Sequence, residues 1–525
     1  MSLAKESADA VVIGAGHNSL VTAILLAKAG WEVTVLERNE VPGGAIRTEE
    51  VTLPGFKHDL FAMSLGAFTG SAFFREYKDE LFANGLEIVG SPKPFGSVFP
   101  DGTFVGVSTE VEETLAQIRA LSASDAEAWQ REHARFRQVA PHLFPLLAEP
   151  MPSVAAATAM LRGVRALDMR WPFELARLTA QSPREFVEER FDRRELHALV
   201  AAWAMHLDFA PDVPGGAVFA FLNTFLFADH GMAIGRGGVR TVIDALVSML
   251  RAAGGRLVTN TAAERIVVEN GRATAVIARG ERWDARRAVV ANVTPAALYT
   301  RLLADTDAPA DVRERAKRYR FGPGTMAIHL ALDELPAWRA GEHVRDYAYV
   351  HLGPYLEDMG LAYQQAMAGQ LPGRPMLVVG QPTVADPTRA PAGKHVLWVL
   401  VRVVPAVIGG DALGVIDARS WDDAKAPYAE RVLDILEEYA PGLRKQTRGR
   451  YVLSPTDLER WNPNLEGGEG LGGSHHLMQN FFLRPFPGWS RYRTPIDRLY
   501  MVGASTRPGA GTGAGSGYLL GKMLT

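Results

Sequence analysis

Three clusters of small residues occur where chemistry would need a close backbone approach. Gly14-Ala15-Gly16-His17-Asn18-Ser19 follows the apolar run Ala10 to Ile13 and opens a helical pattern. The first glycine permits a tight turn, and the second lets backbone N–H groups approach a pyrophosphate at the positive end of a helix. Ser19 replaces a third glycine and is still small enough for helix and strand to pack closely. Glu37 stands 23 residues after Gly14, where a carboxylate can accept hydrogen bonds from a ribose, and an acid there favours an unphosphorylated one. The glycine doublet of Pro42-Gly43-Gly44-Ala45-Ile46-Arg47-Thr48 comes next. Near the end, GASTRPGAGTGAGSG follows the apolar LYMV. A helix starting near Gly513 and Ala514 would aim unpaired N–H groups and a positive helix end at an electron-rich ring.

Elements must hold these clusters together. Ala10 to Ile13, Ser19 to Ala29 and Val33 to Leu36 alternate as strand, helix and strand, with Gly30 where the helix must stop and reverse. From Ile234 onward, a helix near Val239 to Ala252 precedes the β-prone runs LVTN, RIVVE and TAVIA. Asn270-Gly271 and Gly280 punctuate these runs as hairpin turns. The pattern predicts an α/β chain whose dinucleotide domain is assembled from residues 1–70, 231–300 and 490–525. The substrate-facing parts are residues 71–230, rich in helical patterning, and residues 301–489, where MAIHLAL, MLVVGQP and HVLWVLVRVV read as strands.

Composition narrows the function. The 525 residues are 47% hydrophobic and 22% charged, as expected of a globular chain with a large core. A net charge of −3 provides no field for a polyanion, so nucleic acid is not expected as a partner. Without cysteine there is no thiol redox pair, cysteinyl metal site or cysteine-linked flavin, and no metal site is expected. The start, MSLAKESADAVVIGAG, lacks the basic flank and apolar stretch of a secretory signal, which predicts a cytoplasmic location. Apolar runs such as Ala217 to Ala228 fall short of the roughly 20 residues that span a bilayer.

The segments GAGHNSLVTAILLAKAGWEVTVLERNEVPGGAIRTEE, QPTVADPTRAPAGKHVLWVLV and RTPIDRLYMVGASTRPGAGTGAGSG resemble the phytoene-desaturase-related FAD oxidoreductases. Within them, the chain is most similar to the branch named for pyridine nucleotide-disulphide oxidoreductase domains. The resemblance spans nearly the whole chain. It implies a discontinuous Rossmann-type FAD-binding domain with an α+β substrate domain, in an amine-oxidase-like architecture. Residue by residue, it places Gly14, Gly16 and Ser19 at the pyrophosphate, Glu37 at the ribose, and Gly43 and Gly44 on the flavin side, with the neighbouring Arg47 also a cofactor contact. Ala263 would meet the adenine, and Gly503, Ala504, Gly513 and Ala514 the flavin. Gly322-Pro323-Gly324 precedes a strand-like run rather than a helix, so a second dinucleotide fingerprint is not expected.

For catalysis the candidates are few, because hydride transfer to flavin N5 mainly needs a donor C–H held near the ring. Arg507 stands where the family often has histidine, and would contact flavin or an anionic substrate group, or else make a structural salt bridge. His230 would lie at the domain junction, and His475 and His476 near the substrate cavity; each also has a purely structural reading. The expected activity is desaturation or dehydrogenation of a largely apolar small molecule, with electrons passing to oxygen, a quinone or another carrier. An amine or alcohol oxidase producing peroxide is the alternative, and a non-catalytic FAD-bound interaction protein is a third. Val154 to Trp171 joins an apolar surface to Arg162, Arg165 and Arg170, so peripheral membrane contact is one expectation. A homo-oligomer is left open.

Overall fold

The computed structural model describes residues 6–525. Residues 1–5, which open the segment read for a secretory signal, lie outside the described residues. The architecture is α/β, built around two seven-stranded sheets.

In the first sheet, Glu6–Ile13 lies between Val33–Leu36 and Glu281–Ala291, parallel to both; Val12 pairs with Val35 on one side and Val290 on the other. Arg256–Val258 and Leu499–Met501 extend this parallel set at either side. Ala10, Val12, Val35 and Val290 are fully buried, the signature of a parallel sheet covered on both faces. One face is covered by the helices His17–Lys28, Arg240–Ala252 and Gly515–Leu524. The helix Ala72–Ala83 adds Phe73 and Leu81 to the same core. The strands Ala263–Glu269 and Arg272–Ala278 continue the sheet as an antiparallel meander. Their turns have positive φ at Asn270 (51°) and Gly271 (74°), and at Arg279 (53°) and Gly280 (70°), the conformation that two-residue hairpins require.

The second sheet runs in the order Thr447–Leu453, Gly324–Leu332, His395–Val404, Met376–Gly380, Tyr349–Leu352, Phe95–Val98 and Phe104–Val107. Its alternating side chains serve two cores. Val399 and Val401 face the helix Trp421–Tyr439. Trp398 and Leu400 face the helices Arg194–Met205 and Ala217–His230.

A buried ion network fastens the segments that pass between the sheets. Arg389 Nη1 lies 2.8 Å from Asp59 Oδ2, its Nε 2.9 Å from Asp386 Oδ2, and its Nη2 donates to the Gly235 carbonyl at 2.9 Å. Asp59 also accepts from Thr48 Oγ1 (2.6 Å) and the Val239 N–H (2.9 Å). The ADPTR run within one of the family-like segments therefore has an architectural task. Among the described residues, no helix is long and apolar enough to cross a membrane.

Candidate functional site

Every parallel strand of the first sheet ends at one edge, and the chain turns there: Ile13 into Gly14, Leu36 into Glu37, Ala291 into Asn292, and Met501 into Val502 and Gly503. This edge is where α/β sheets bind ligands. Gly14 takes φ +87° and its N–H donates to the Leu36 carbonyl at 2.7 Å, closing the loop over the second strand. The helix His17–Lys28 starts from Gly16 without a side-chain cap, so N–H groups of its first turn are free for an anion. Glu37 is buried, with Oε2 accepting from the Ala15 N–H (2.8 Å) and Oε1 from the Asn39 N–H (2.9 Å). Each oxygen retains acceptor capacity for a ribose hydroxyl.

The loops form a cradle that a side chain would fill. A Cβ on Gly503, which has φ +110°, would sit 2.1 Å from Asn292 Oδ1, and one on Gly16 2.8 Å from Asn292 Nδ2. At Gly43, φ is +129° and a Cβ would sit 2.5 Å from the Ile46 carbonyl. These glycines leave the backbone itself as the wall. The wall encloses a cavity of about 800 Å³ that runs from Gly14, Glu37, Gly43, Gly44 and Ala263, past Gly503, Ala504 and Ala510 to Thr512, into a second chamber. Dinucleotide geometry at one end and open volume at the other fit FAD with room for a second molecule.

The second chamber is aromatic. Trp203 stacks on Phe227 (centroids 4.6 Å apart), and Tyr349 stacks on Trp398 (5.6 Å). His206 lines the same space; its Nε2 is 3.2 Å from His351 Nε2, so one ring donates and the other accepts. Burial drives both imidazoles below their usual pKa, with the Arg402 charge adding to it, and His351 reaches about 3. Both rings are therefore neutral near pH 7.

Of the expected cofactor contacts, Gly14, Gly16, Glu37, Gly43, Gly44, Ala263, Gly503 and Ala504 line the cavity. Four others take different places. Ser19 lies beneath the loop, donating to the Gly14 carbonyl at 2.6 Å and accepting from Asn292 Nδ2 at 3.0 Å, because helix and strand close on it. Arg47 pairs with Glu49 and sits 4.9 Å over the Trp461 ring instead of lining the cavity. The last helix begins at Gly515, so Ala510 to Thr512 form the wall while Gly513 and Ala514 sit behind it. The Gly513 carbonyl lies 3.0 Å from His17 Nε2.

None of the four expected catalytic side chains lines the cavity. The Arg507 guanidinium is buried and donates to the carbonyls of Leu147 (2.7 Å), Glu149 (2.9 Å) and Leu146 (3.3 Å), fastening the end of the helix Ala123–Ala148. His230 is exposed at the end of its helix. His475 is buried behind the wall, with Nε2 accepting from the Ala510 N–H at 3.1 Å. His476 donates to the Asp208 carbonyl at 2.7 Å.

The chamber residues Trp203, His206, Tyr349, Trp398 and Arg402, and the edge residue Asn292, were not singled out from sequence. A signal existed for some of them. Trp398, Leu400 and Arg402 share one face of HVLWVLVRVV by simple alternation, and Asn292 directly follows the apolar run AVVA.

The flavin containing amine oxidoreductase family matches residues 20–522. The chain is 30% identical to pyridine nucleotide-disulfide oxidoreductase domain-containing protein 2 of Rattus norvegicus, over 98% of this chain and 92% of that protein. It is 26% identical to the neurosporene-forming phytoene desaturase of Rhodobacter capsulatus, over 98% and 93%. An oxidoreductase structure from Methanosarcina mazei superposes with a TM-score of 0.60 at 20% identity, covering 98% of this chain and 99% of the other. With that match running almost end to end, the chain belongs to the flavin-containing amine oxidoreductases, and FAD is its cofactor.

Proposed function

We propose that this flavin-dependent oxidoreductase is a dehydrogenase or desaturase acting on a largely apolar small molecule, with oxygen, a quinone or another carrier as final acceptor. The observation that supports it is the single cavity joining a glycine-walled dinucleotide end to a chamber lined by Trp203, Phe227, Tyr349 and Trp398. FAD, when bound, supplies a two-electron acceptor ring. The N–H groups at the start of the helix His17–Lys28 hold its pyrophosphate, and Glu37 holds its ribose. The stacked aromatic pairs exclude water and fix the face of the substrate, whose positioning then does most of the catalytic work. The similarity to a phytoene desaturase is consistent with an apolar substrate.

A second reading, oxidation of an alcohol or amine, is favoured by one observation: His206 is an imidazole on the chamber wall, placed to hydrogen-bond a substrate hydroxyl or amine. Anaerobic titration with lipophilic alkenes, alcohols and amines, followed through the flavin absorption band, separates the readings. Bleaching by an unsaturated hydrocarbon supports desaturation; bleaching by alcohols or amines alone, with one peroxide per turnover in air, selects the oxidase. A flavin that stays oxidised with every donor overturns both and leaves a non-catalytic flavoprotein.

The same reading includes a lipid surface as partner. On the helix Val154–Ala166, Ala156, Ala159 and Gly163 are buried, while Val154 and Leu161 are exposed. Met169 and Phe173 are exposed just beyond, and Arg162, Arg165 and Arg170 lie among them in solvent. Apolar side chains interleaved with cations suit an anionic bilayer.

A further inference from the structure

In the aromatic chamber, Arg402 is out of place. It sits on the central strand His395–Val404 among valines and leucines, on the cavity-facing side with Trp398 and Leu400. Its side chain is buried, yet it makes no ion pair with any described carboxylate; Nη2 donates to the carbonyls of Met205 (3.2 Å) and His206 at the end of the helix Arg194–Met205. The nearby acids are committed elsewhere. Asp208 accepts from Tyr363 Oη (3.0 Å) and Ser474 Oγ (2.6 Å), and Glu469 from the N–H groups of Leu471 and Gly473 (both 2.9 Å). Burial raises both acids, Glu469 to about 7, and neither forms an ion pair with the guanidinium. A strand of this kind would be served as well by methionine or leucine, which carry no desolvation cost.

The backbone next to Arg402 is strained. Val403 has φ +65°, a conformation that β-branched residues rarely adopt, where the ladder to Gly324–Leu332 slips by one residue. Bulges of this type re-aim a side chain beside a site.

We propose that Arg402 binds a carboxylate on the substrate, so that the chamber takes an apolar acid whose hydrocarbon part lies against Trp203, Tyr349 and Trp398. This rests on the chamber being the substrate site. Guanidinium and carboxylate match in geometry and charge, and the low polarity of the aromatic walls strengthens the pair.

The test is equilibrium binding to the FAD-loaded, oxidised protein under anaerobic conditions, read by calorimetry and by perturbation of the flavin spectrum, and so independent of turnover. The probes are decanoate and 3-phenylpropanoate, each against its alcohol, decanol and 3-phenylpropanol. The acids are expected to bind about tenfold more tightly than the alcohols. R402Q is expected to remove that preference and leave alcohol binding unchanged, while R402K retains part of it. A purely structural Arg402 would move both ligand types together. Equal binding of acid and alcohol by the wild-type protein overturns the proposal, and this comparison stands even if R402Q fails to fold. Selective acid binding without flavin reduction by any donor would instead overturn the proposed activity and leave the anion site in place.

Discussion

Gly503 is the most exacting single position at the cofactor end. Its φ of +110° and the 2.1 Å approach to Asn292 Oδ1 leave no space for a methyl group. G503A is expected to cost about 1–3 kcal/mol and to lower the FAD-to-protein ratio, read from the visible spectrum and a thermal melt. Adding N292A should recover only the steric part of the loss, since the backbone strain remains. Full recovery would locate the whole effect in the clash. The Gly14 turn and the placement of Glu37 at the strand end were legible in sequence because both are local to one strand-helix-strand unit. Arg507 was not, because what decides its role is a helix end more than 350 residues earlier in the chain. A charge near a glycine-rich loop looks chemical until its donors are traced to three carbonyls.

At the level of elements, the helix Ala123–Ala148 depends on that arginine. R507M leaves the part-buried carbonyls of Leu147 and Glu149 without this donor, so the expected loss is about 1–3 kcal/mol, measured by urea unfolding. The rate of flavin reduction by a given donor should stay within a factor of about two, because the guanidinium does not reach the cavity. A large fall in that rate with unchanged stability would return Arg507 to the chemistry. Removing Arg389 is expected to be worse. R389M leaves Asp59 and Asp386 buried without their common partner, at about 3–5 kcal/mol. The hairpins near residue 270 could be read from Asn270-Gly271 and Gly280, since turn chemistry is local. The chamber could not: its walls come from Trp203 on a helix and from Tyr349, Trp398 and Arg402 on the second sheet, and only the tertiary fold brings those together.

Across the whole molecule, buried histidines set the response to pH. Burial holds His17 and His329 down to about 4 and His351 to about 3, below the unfolded value of about 6.5. Folded, they stay neutral where the unfolded chain takes up protons, so their contribution is present above that value and is lost as pH falls. Glu469, raised to about 7, works in the opposite sense: it favours the fold at low pH and loses that effect as pH rises through 7. Imidazoles held down by burial outnumber the carboxyls raised by it, so stability from urea unfolding, and with it the midpoint, should fall from pH 7 to pH 5, at about 1.4 kcal/mol per pH unit per net proton. A midpoint that rises toward pH 5 would contradict this. The exposed apolar and basic surface around Val154–Ala166 predicts sedimentation with phosphatidylserine vesicles that is lost in R162E/R165E/R170E; sedimentation unchanged by that variant would place the contact elsewhere. The functional reading depends on one claim, that the edge of the parallel sheet is a flavin site continuous with the chamber. Titrating flavin-free protein with FAD tests it most directly. The expected result is saturation at one FAD per chain with a perturbed visible spectrum that shifts again when an apolar ligand enters the chamber; failure to bind FAD saturably, or a bound spectrum indifferent to every such ligand, would contradict that claim.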